Sequence, residues 1–327
     1  MPLATRRIFN SWLIGSAAAG IAPLARAQAA KPAPALPKLH IVIPANEGGG
    51  WDQTGRALGA AMVAAGAVTQ VDYENIGGKG GTVGLARYVE KYDADPDAML
   101  ISGMVMVGAV ALQRPAVDMS RIAPLARLTS DYEVVAVRAD SPIRTAGDLI
   151  AKLRAEPAST AIAGGSAGGV DHMFAGLLAR AAGHTAGLNY QPYPGGAEVT
   201  AAVESGKALA GISGYSEFSE HIARGKLRAI GVSSRRSFQG MPSVQQQGVD
   251  AEIANWRGVF TGKAVPASRR AALLDAVRRS VATDGWKQTI ARNNWDNFWM
   301  EGADLASFLE VNQAMASALT YILKLKS

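Results

Sequence analysis

Short apolar and polar blocks alternate along most of the chain, and they predict strands and helices in turn. Residues 38–45 form an apolar run typical of a buried strand, and residues 46–66 pass three glycines before a pattern of helical period begins. The same order of strand, glycine-rich turn and helix returns at residues 160–183. Such alternation predicts an α/β fold with mainly parallel sheets.

The order of these blocks predicts two lobes. Residues 36–137 together with 253–327 would form the first α/β domain, and residues 138–252 would form the second. Two extended segments, near 132–142 and 256–266, are the predicted crossings between them. A chain of this kind closes like a hinge around a ligand held at the carboxyl ends of its strands. Helices are predicted near 267–282, 284–293 and 302–324.

The first residues predict export. Basic Arg6 and Arg7 precede an apolar stretch that is too short to span a bilayer, and small residues follow at a cleavage pattern. We predict a signal peptide over residues 1–29, cleaved near Ala27 or Ala29, and a proline-rich linker over 30–37. The predicted location is the periplasm, with both general and twin-arginine export left open.

Composition narrows the possible functions. The 327 residues carry a formal net charge of +6, and three of the arginines lie in the leader. No basic run of the kind found in nucleic-acid-binding proteins is present. The absence of cysteine excludes disulfides, thiolate metal sites and cysteine nucleophiles, and four scattered histidines show no metal-binding spacing. We therefore expect no metal, no cofactor and no nucleic-acid partner.

The segment AGGSAGGVDH at 163–172 permits two interpretations. Ser166 fits the G-x-S-x-G elbow of serine hydrolases, which also need a histidine base and an acid. In such enzymes the acid lies between serine and histidine, but the only aspartate between Ser166 and His221 is Asp171, on the elbow helix itself. The histidines His172 and His184 offer no better arrangement. The elbow is therefore the weaker interpretation.

The second interpretation is a glycine cradle for an anion. Glycines allow a tight turn, and the N–H groups at a helix N-terminus attract a carboxylate or phosphate. Asp171 would cap the helix, while His172 would either donate to the anion or pack in the core. The residues predicted to contact the anion in this loop are Gly165, Ser166, Ala167, Gly168, Gly169 and His172.

A second loop near the N-terminus has the same features. Gly48, Gly49 and Gly50 follow a strand, and Asp52 lies where the next helix begins, again most simply as a cap. Trp51 would either form a pocket wall or cover the helix start. Residues 75–81 are a possible third donor loop. Matching loops in two halves predict a binding cleft between domains.

Several motifs occur in the order found in a known family. The segments IVIPANEGGGWDQTGRAL, ENIGGKGGTVGLARYV, AGGSAGGVDHMFAGL, YPGGAEVTAAVESGKALAGISGYSEF and ANWRGVF resemble the receptors of tripartite tricarboxylate transporters, also called TctC or Bug proteins. The resemblance covers nearly the whole mature chain and is closest to the TctC-like branch. It implies the type II periplasmic-binding-protein fold and a small carboxylate held on the loops 45–52 and 165–172.

The resemblance also implies lower-ranked site residues, Tyr215 and Glu217, in the segment 213–218. For Tyr215 the alternative is packing at the hinge. Glu47 departs from the family pattern, because a carboxylate in the first loop would repel a carboxylate ligand unless a donor intervenes. Glu47 would then face solvent or favour a ligand with an amino or hydroxyl group.

We therefore expect a monomeric solute-binding protein without enzyme activity. It would capture a di- or tricarboxylate resembling citrate and deliver it to the membrane components of a tripartite tricarboxylate transporter. Two alternatives stay open: a secreted serine hydrolase that uses Ser166, and a receptor that presents its ligand to a sensor kinase.

Overall fold

The computed structural model of the protein describes residues 36–184 and 187–322. The predicted signal peptide, with most of the linker after it, lies outside the described residues. Strands and helices alternate from residue 39 onward, which confirms the predicted α/β class. Within the described ranges no helix combines the length and the apolar character needed to cross a membrane.

Eleven strands are present in the described ranges. They are β1 (Leu39–Ile43), β2 (Val71–Asn75), β3 (Ala98–Gly103), β4 (Ile122–Asp131), β5 (Glu133–Arg138), β6 (Ala161–Gly164), β7 (Asn189–Pro192), β8 (Ala210–Gly214), β9 (Leu227–Val232), β10 (Asn255–Gly262) and β11 (Asp296–Glu301).

Ten α-helices connect these strands in the same part of the chain. They are α1 (Gly50–Ala64), α2 (Thr82–Tyr92), α3 (Met104–Gln113), α4 (Ala146–Ala155), α5 (Val170–Ala181), α6 (Gly196–Glu204), α7 (Tyr215–Ala223), α8 (Ala267–Val281), α9 (Asp284–Asn293) and α10 (Gly302–Ile322). The last three confirm the helices predicted near the C-terminus.

The strands form two sheets. The first has the order β11-β4-β10-β3-β1-β2, and the second has the order β7-β6-β8-β5-β9. In each sheet the strand next to one edge pairs in parallel with both of its neighbours, β1 with β2 and β3, and β6 with β7 and β8. The strands at which the chain changes sheets, β4, β5 and β10, pair antiparallel. Parallel βαβ units thus carry the loops of interest, and antiparallel strands join the sheets.

The chain crosses between the sheets twice. Strand β4 ends at Asp131 in the first sheet and β5 begins at Glu133 in the second, so Tyr132 alone separates them. The return lies between β9 and β10. From this sheet membership we propose that the lobe boundary lies at Tyr132, a few residues before the predicted boundary at 137/138.

Burial explains the side-chain pattern of β5 and why β4 was not predicted from its sequence. On β5 the side chains alternate between faces: Val135 and Val137 pack in the larger apolar cluster, and Val134 and Ala136 pack in the smaller one. Strand β4 lies between β10 and β11 and is buried along most of its length, polar residues included. Its sequence therefore lacks the alternation that marks a half-buried strand, and neither β4 nor β11 nor α7 was predicted.

We expect Phe218→Ala to be strongly destabilising. Phe218, on α7, is completely buried in the smaller apolar cluster, and removing its ring would leave a cavity. A buried phenylalanine replaced by alanine costs about 3–5 kcal/mol. Urea unfolding monitored by circular dichroism measures this loss. The matched control is Phe298→Ala at a side chain that is 40% exposed, where the loss should be about 1 kcal/mol or less. Equal losses at both sites would contradict the packing.

Candidate functional site

Two strand–loop–helix units open onto one cavity. Strand β1 ends at Ile43 and α1 begins at Gly50, while β6 ends at Gly164 and α5 begins at Val170. Residues of both intervening loops line a cavity of about 1300 Å³. The two loops that the sequence analysis selected therefore lie on the same cavity.

The two loops enter their helices through the same backbone conformation. Gly48 and Gly168 have φ of 81° and 82°, in the left-handed region that favours glycine. The next residues, Gly49 and Gly169, are extended and form the helix caps. The N–H groups of the first turn that follows have no helical acceptor and carry the partial positive charge of the helix end. Each loop thus brings main-chain donors to the cavity.

Aspartates within the first turn hold these loops. The Asp52 carboxylate accepts hydrogen bonds from the Gly48 N–H, from Arg56 and from Asn75, each at 2.9 Å. The Asp171 carboxylate accepts one from the Gly165 N–H at 2.6 Å. The prediction that these aspartates are N-caps is wrong. The caps are glycines, because each helix begins before its aspartate, which binds back to the loop from the first turn.

The structure brings some of the predicted residues to the cavity and not others. Those that line it are Gly48, Gly49, Gly50, Gly165, Ser166, Ala167, Gly169 and Glu217. Those absent from the lining are Asp52, Gly168, His172 and Tyr215. Tyr215 packs against the smaller apolar cluster, in line with the packing role that was its alternative.

His172 lies behind the second loop. It is 5% exposed, its Nδ1 accepts a hydrogen bond from the Gly168 N–H at 3.1 Å, and its ring stacks on Tyr190 with 4.1 Å between centroids. Burial lowers the pKa of His172 to about 4, so the imidazole is neutral at neutral pH. Within the described residues no histidine is hydrogen-bonded to Ser166. Of the two roles predicted for His172, the local arrangement supports the packed one.

The possible third loop also reaches the cavity. Residues 77–81 line it, with Lys79 as an exposed cation. Trp51 lines it as well and is 7% exposed, so it covers the helix start while forming part of the wall. The Glu47 side chain is 80% exposed and lies 3.7 Å from Arg56. Glu47 thus faces solvent, and it also belongs to the lining of the cavity, so both roles considered for it stay open.

Arg257 is a cavity residue that the sequence analysis missed. It lies on β10 and is 4% exposed, with its guanidinium 3.3 Å from the Asp131 carboxylate and 3.4 Å from the Thr54 hydroxyl. The guanidinium also lies over the Trp295 ring, 5.2 Å from its centroid. An arginine inside the otherwise apolar run WRGVF was the available signal, because charged residues are rarely buried without a partner.

Several carboxyl groups lie close to one another in and beside the cavity. Burial raises the pKa of Asp131 and of Asp171 to about 6, and the nearby Arg257 partly offsets this for Asp131. Burial and the neighbouring carboxylates raise the pKa of Glu133 well above its usual value. Glu217, whose carboxylate accepts a hydrogen bond from Ser213, also lines the cavity. The sequence analysis also missed Glu133, which is the first residue of the apolar strand β5.

The chain is similar to known proteins over most of its length. The family model described as "Tripartite tricarboxylate transporter family receptor" matches residues 61–323. Protein BugT of Bordetella pertussis is 28% identical over 238 residues, which cover 70% of this chain and 72% of BugT.

Two solved structures have a similar fold. MatC from Rhodopseudomonas palustris, with bound malate, has a TM-score of 0.75 at 18% identity and covers 86% of this chain and 98% of its own. Rpa4515 from R. palustris, with adipate, has a TM-score of 0.79 at 18% identity and covers 88% and 98%. At this identity the similarity is one of fold.

We expect Asp171→Asn to change how stability depends on pH. The pKa of Asp171 is about 6 in the folded protein against 3.8 for an exposed aspartate, so the folded state binds this proton at higher pH than the unfolded chain. The stabilisation it provides is complete below about pH 4 and is lost as pH rises through 6. The free energy of unfolding of the variant, taken relative to that of the parent, should therefore be higher at pH 7 than at pH 5 by about 1 kcal/mol or more.

Urea unfolding at both pH values measures this difference. Asp250→Asn is the control, since the Asp250 side chain is 89% exposed, and its difference from the parent should be the same at both pH values. A pH-independent difference for Asp171→Asn would contradict the raised pKa.

Proposed function

The chain belongs to the family of tripartite tricarboxylate transporter receptors, and from this premise we propose that it captures a small organic di- or tricarboxylate in the cavity between its two sheets. The family consists of periplasmic binding proteins that bind carboxylates. The bound carboxylate would be delivered to the membrane components of a tripartite transporter. A citrate-like ligand is the proposed class, and a monomer released from its signal peptide is the proposed form.

One observation carries this proposal above all. The loops before α1 and α5 have the same conformation at their paired glycines and face one cavity. Main-chain N–H groups at two helix ends form a site for two carboxylate groups of one molecule, because each end offers donors and partial positive charge. The hydroxyl of Ser166 and the ammonium of Lys79 add donors at the same cavity.

The cavity also supports closure around the ligand. Its volume of about 1300 Å³ exceeds the roughly 300–1,000 Å³ of typical small-molecule pockets. The two lobes, with the boundary that we place at Tyr132, are joined through β4–β5 and β9–β10, and small rotations there would narrow the cleft. A ligand that contacts both loops would favour the closed form by its differential affinity for that form.

Known relatives agree with a binding role. The structures with malate and with adipate contain dicarboxylates in proteins of the same fold, and the family to which the chain belongs consists of receptors. We propose that this chain likewise binds its ligand without chemical change. Two observations support this. His172 is neutral and packed, and the histidine that does line the cavity, His221, is hydrogen-bonded to Glu204 and not to Ser166.

A bound carboxylate ligand should stabilise the protein against heat, and a negative charge introduced into the second loop should weaken the binding of that ligand. In thermal melts with citrate, tricarballylate, malate, succinate and adipate, a ligand at about 100 times its Kd adds about 2.7 kcal/mol. Ala167→Asp places a carboxylate among the loop donors, so the affinity measured by calorimetry should fall at least about tenfold by repulsion.

The matched control for that variant is Ala151→Asp, on the exposed face of α4, which should bind as the parent does. If Ala167→Asp and Ala151→Asp bound the same carboxylate equally well, the loop would not be the binding site.

Ser166→Ala separates binding from hydrolysis. We expect the variant to bind the carboxylate more weakly by no more than about 1–3 kcal/mol, the cost of one lost hydrogen bond. Neither the parent nor the variant should cleave a generic ester such as p-nitrophenyl acetate. Ester turnover by the parent that disappears in the variant would establish the hydrolase instead.

A further inference from the structure

Glu133 is a buried carboxyl group at the start of β5. It is 1% exposed, and no N–H or hydroxyl group of the described residues donates a hydrogen bond to either of its side-chain oxygens. Its backbone is fixed, because its N–H donates to the Ser233 hydroxyl at 2.9 Å and its carbonyl accepts from the Ser233 N–H at 2.9 Å. An ionised carboxylate in this position would lack the donors that a buried charge needs, so the neutral acid is the form that fits.

Asp171, on the first turn of α5, is the hydrogen-bond partner of this acid. The two carboxyl groups are hydrogen-bonded to each other, and such a bond requires that one of them carries a proton, since an ionised carboxylate only accepts. The bond raises the pKa of Glu133 and lowers that of Asp171. Asp171 also accepts the Gly165 N–H at 2.6 Å. Glu133 is therefore the donor of the pair and Asp171 the acceptor.

Three charged groups from other elements lie close to the pair. Burial raises the pKa of Glu133 most, and Asp131 at the end of β4 and Glu217 on α7 raise it further. The guanidinium of Arg257, on β10, lies 3.3 Å from the Asp131 carboxylate and so compensates that charge. A second negative charge on the pair would be added to a negative environment, and this favours retention of one proton.

The two aromatic neighbours of the pair are uncharged at neutral pH. Burial lowers the pKa of His172 to about 4 and raises that of Tyr190 well above its usual value. The Tyr190 hydroxyl donates to the Gly165 carbonyl at 2.7 Å, while Asp171 accepts from the Gly165 N–H. Gly165, which lines the cavity, is thus held on both sides, and one of these contacts is itself held by Glu133.

We propose that Glu133 and Asp171 share one proton at neutral pH, and that binding of an anion at the second glycine loop is coupled to retention of this proton. Glu133 is a positioning residue, which acts on the loop through Asp171. Loss of the proton would remove the donor that orients Asp171 and would add a negative charge beside the loop, where it repels an anion. The inference rests on the proposed function, because it takes the ligand to be an anion at this loop.

The affinity for dicarboxylates should fall as pH rises from 7 to 9. Linkage is reciprocal, so an anion that favours the protonated pair binds more weakly once the proton has left. Calorimetry with malate, succinate and adipate, whose carboxyl groups stay ionised over this range, should show a fall of about tenfold or more for the parent. In Glu133→Gln the amide N–H donates to Asp171 and does not ionise, so the affinities at the two pH values should be equal.

Two further variants identify the group that titrates. His221 also lines the cavity, with its Nδ1 2.6 Å from Glu204, and His221→Gln should keep the fall in affinity with pH. The control Glu310→Gln, on the exposed side of α10, should keep it as well. Circular dichroism checks the fold of each variant. Should Glu133→Gln not fold, calorimetry on the parent and on His221→Gln at pH 8, in two buffers of different ionisation enthalpy, should show net proton uptake on binding.

Infrared spectroscopy tests the proton itself without a ligand. The difference spectrum of the parent and Glu133→Gln at pH 7 should contain the carbonyl band of a protonated carboxylic acid, contributed by the parent. Absence of this band would overturn the inference, because Glu133 would then be ionised.

The other contrary results separate this inference from the proposed function. Equal affinities of the parent at pH 7 and pH 9 would overturn the inference and leave the proposed function standing. A fall that persists in Glu133→Gln and disappears in His221→Gln would assign the proton to His221 and overturn it too. Failure of every carboxylate of the thermal melts to bind would overturn the proposed function and the coupling with it, whereas the infrared band would still show whether Glu133 is protonated.

Discussion

The ion pair between Arg257 and Asp131 lies where the chain passes between its two sheets. Asp131 is the last residue of β4, one position before the crossing at Tyr132, and Arg257 lies on the returning strand β10. Both side chains are almost fully buried, so either one alone would leave an uncompensated charge. The pair thus constrains both crossing strands at one point and brings a guanidinium to the wall of the cavity.

Glu133, two residues beyond Asp131, has no ion-pair partner of this kind within the described ranges. Glu133 is the first residue of β5 in the second sheet, and its carboxyl group lies near those of Asp171 on α5 and Glu217 on α7. Burial of a carboxyl group without a cationic partner lowers the stability of the folded protein, and such groups are typical of binding sites. Main-chain donors of the glycine loops and buried carboxyl groups therefore line the same cavity.

The same carboxyl groups also have structural tasks. Asp171 holds the Gly165 N–H, and Asp52 plays the corresponding part in the first loop through Gly48. These bonds use one N–H donor of each loop and leave the first-turn N–H groups for other acceptors. Asp171 also lines the cavity, whereas Asp52 does not.

The sequence by itself determined the α/β class, the positions of the glycine loops and, through ordered motifs, the family, because these depend on local pattern and short-range backbone preference. It also placed Ser166 and the glycines of both loops, most of which line the cavity. It did not reveal that His172 is packed, that glycines cap both helices, or that Arg257 and Glu133 belong to the site. Arg257 and Asp131 are 126 positions apart, and only the folded sheets bring them together. Burial and the lack of a partner are properties of that tertiary environment, so the tertiary structure alone decided the charge balance of the cavity.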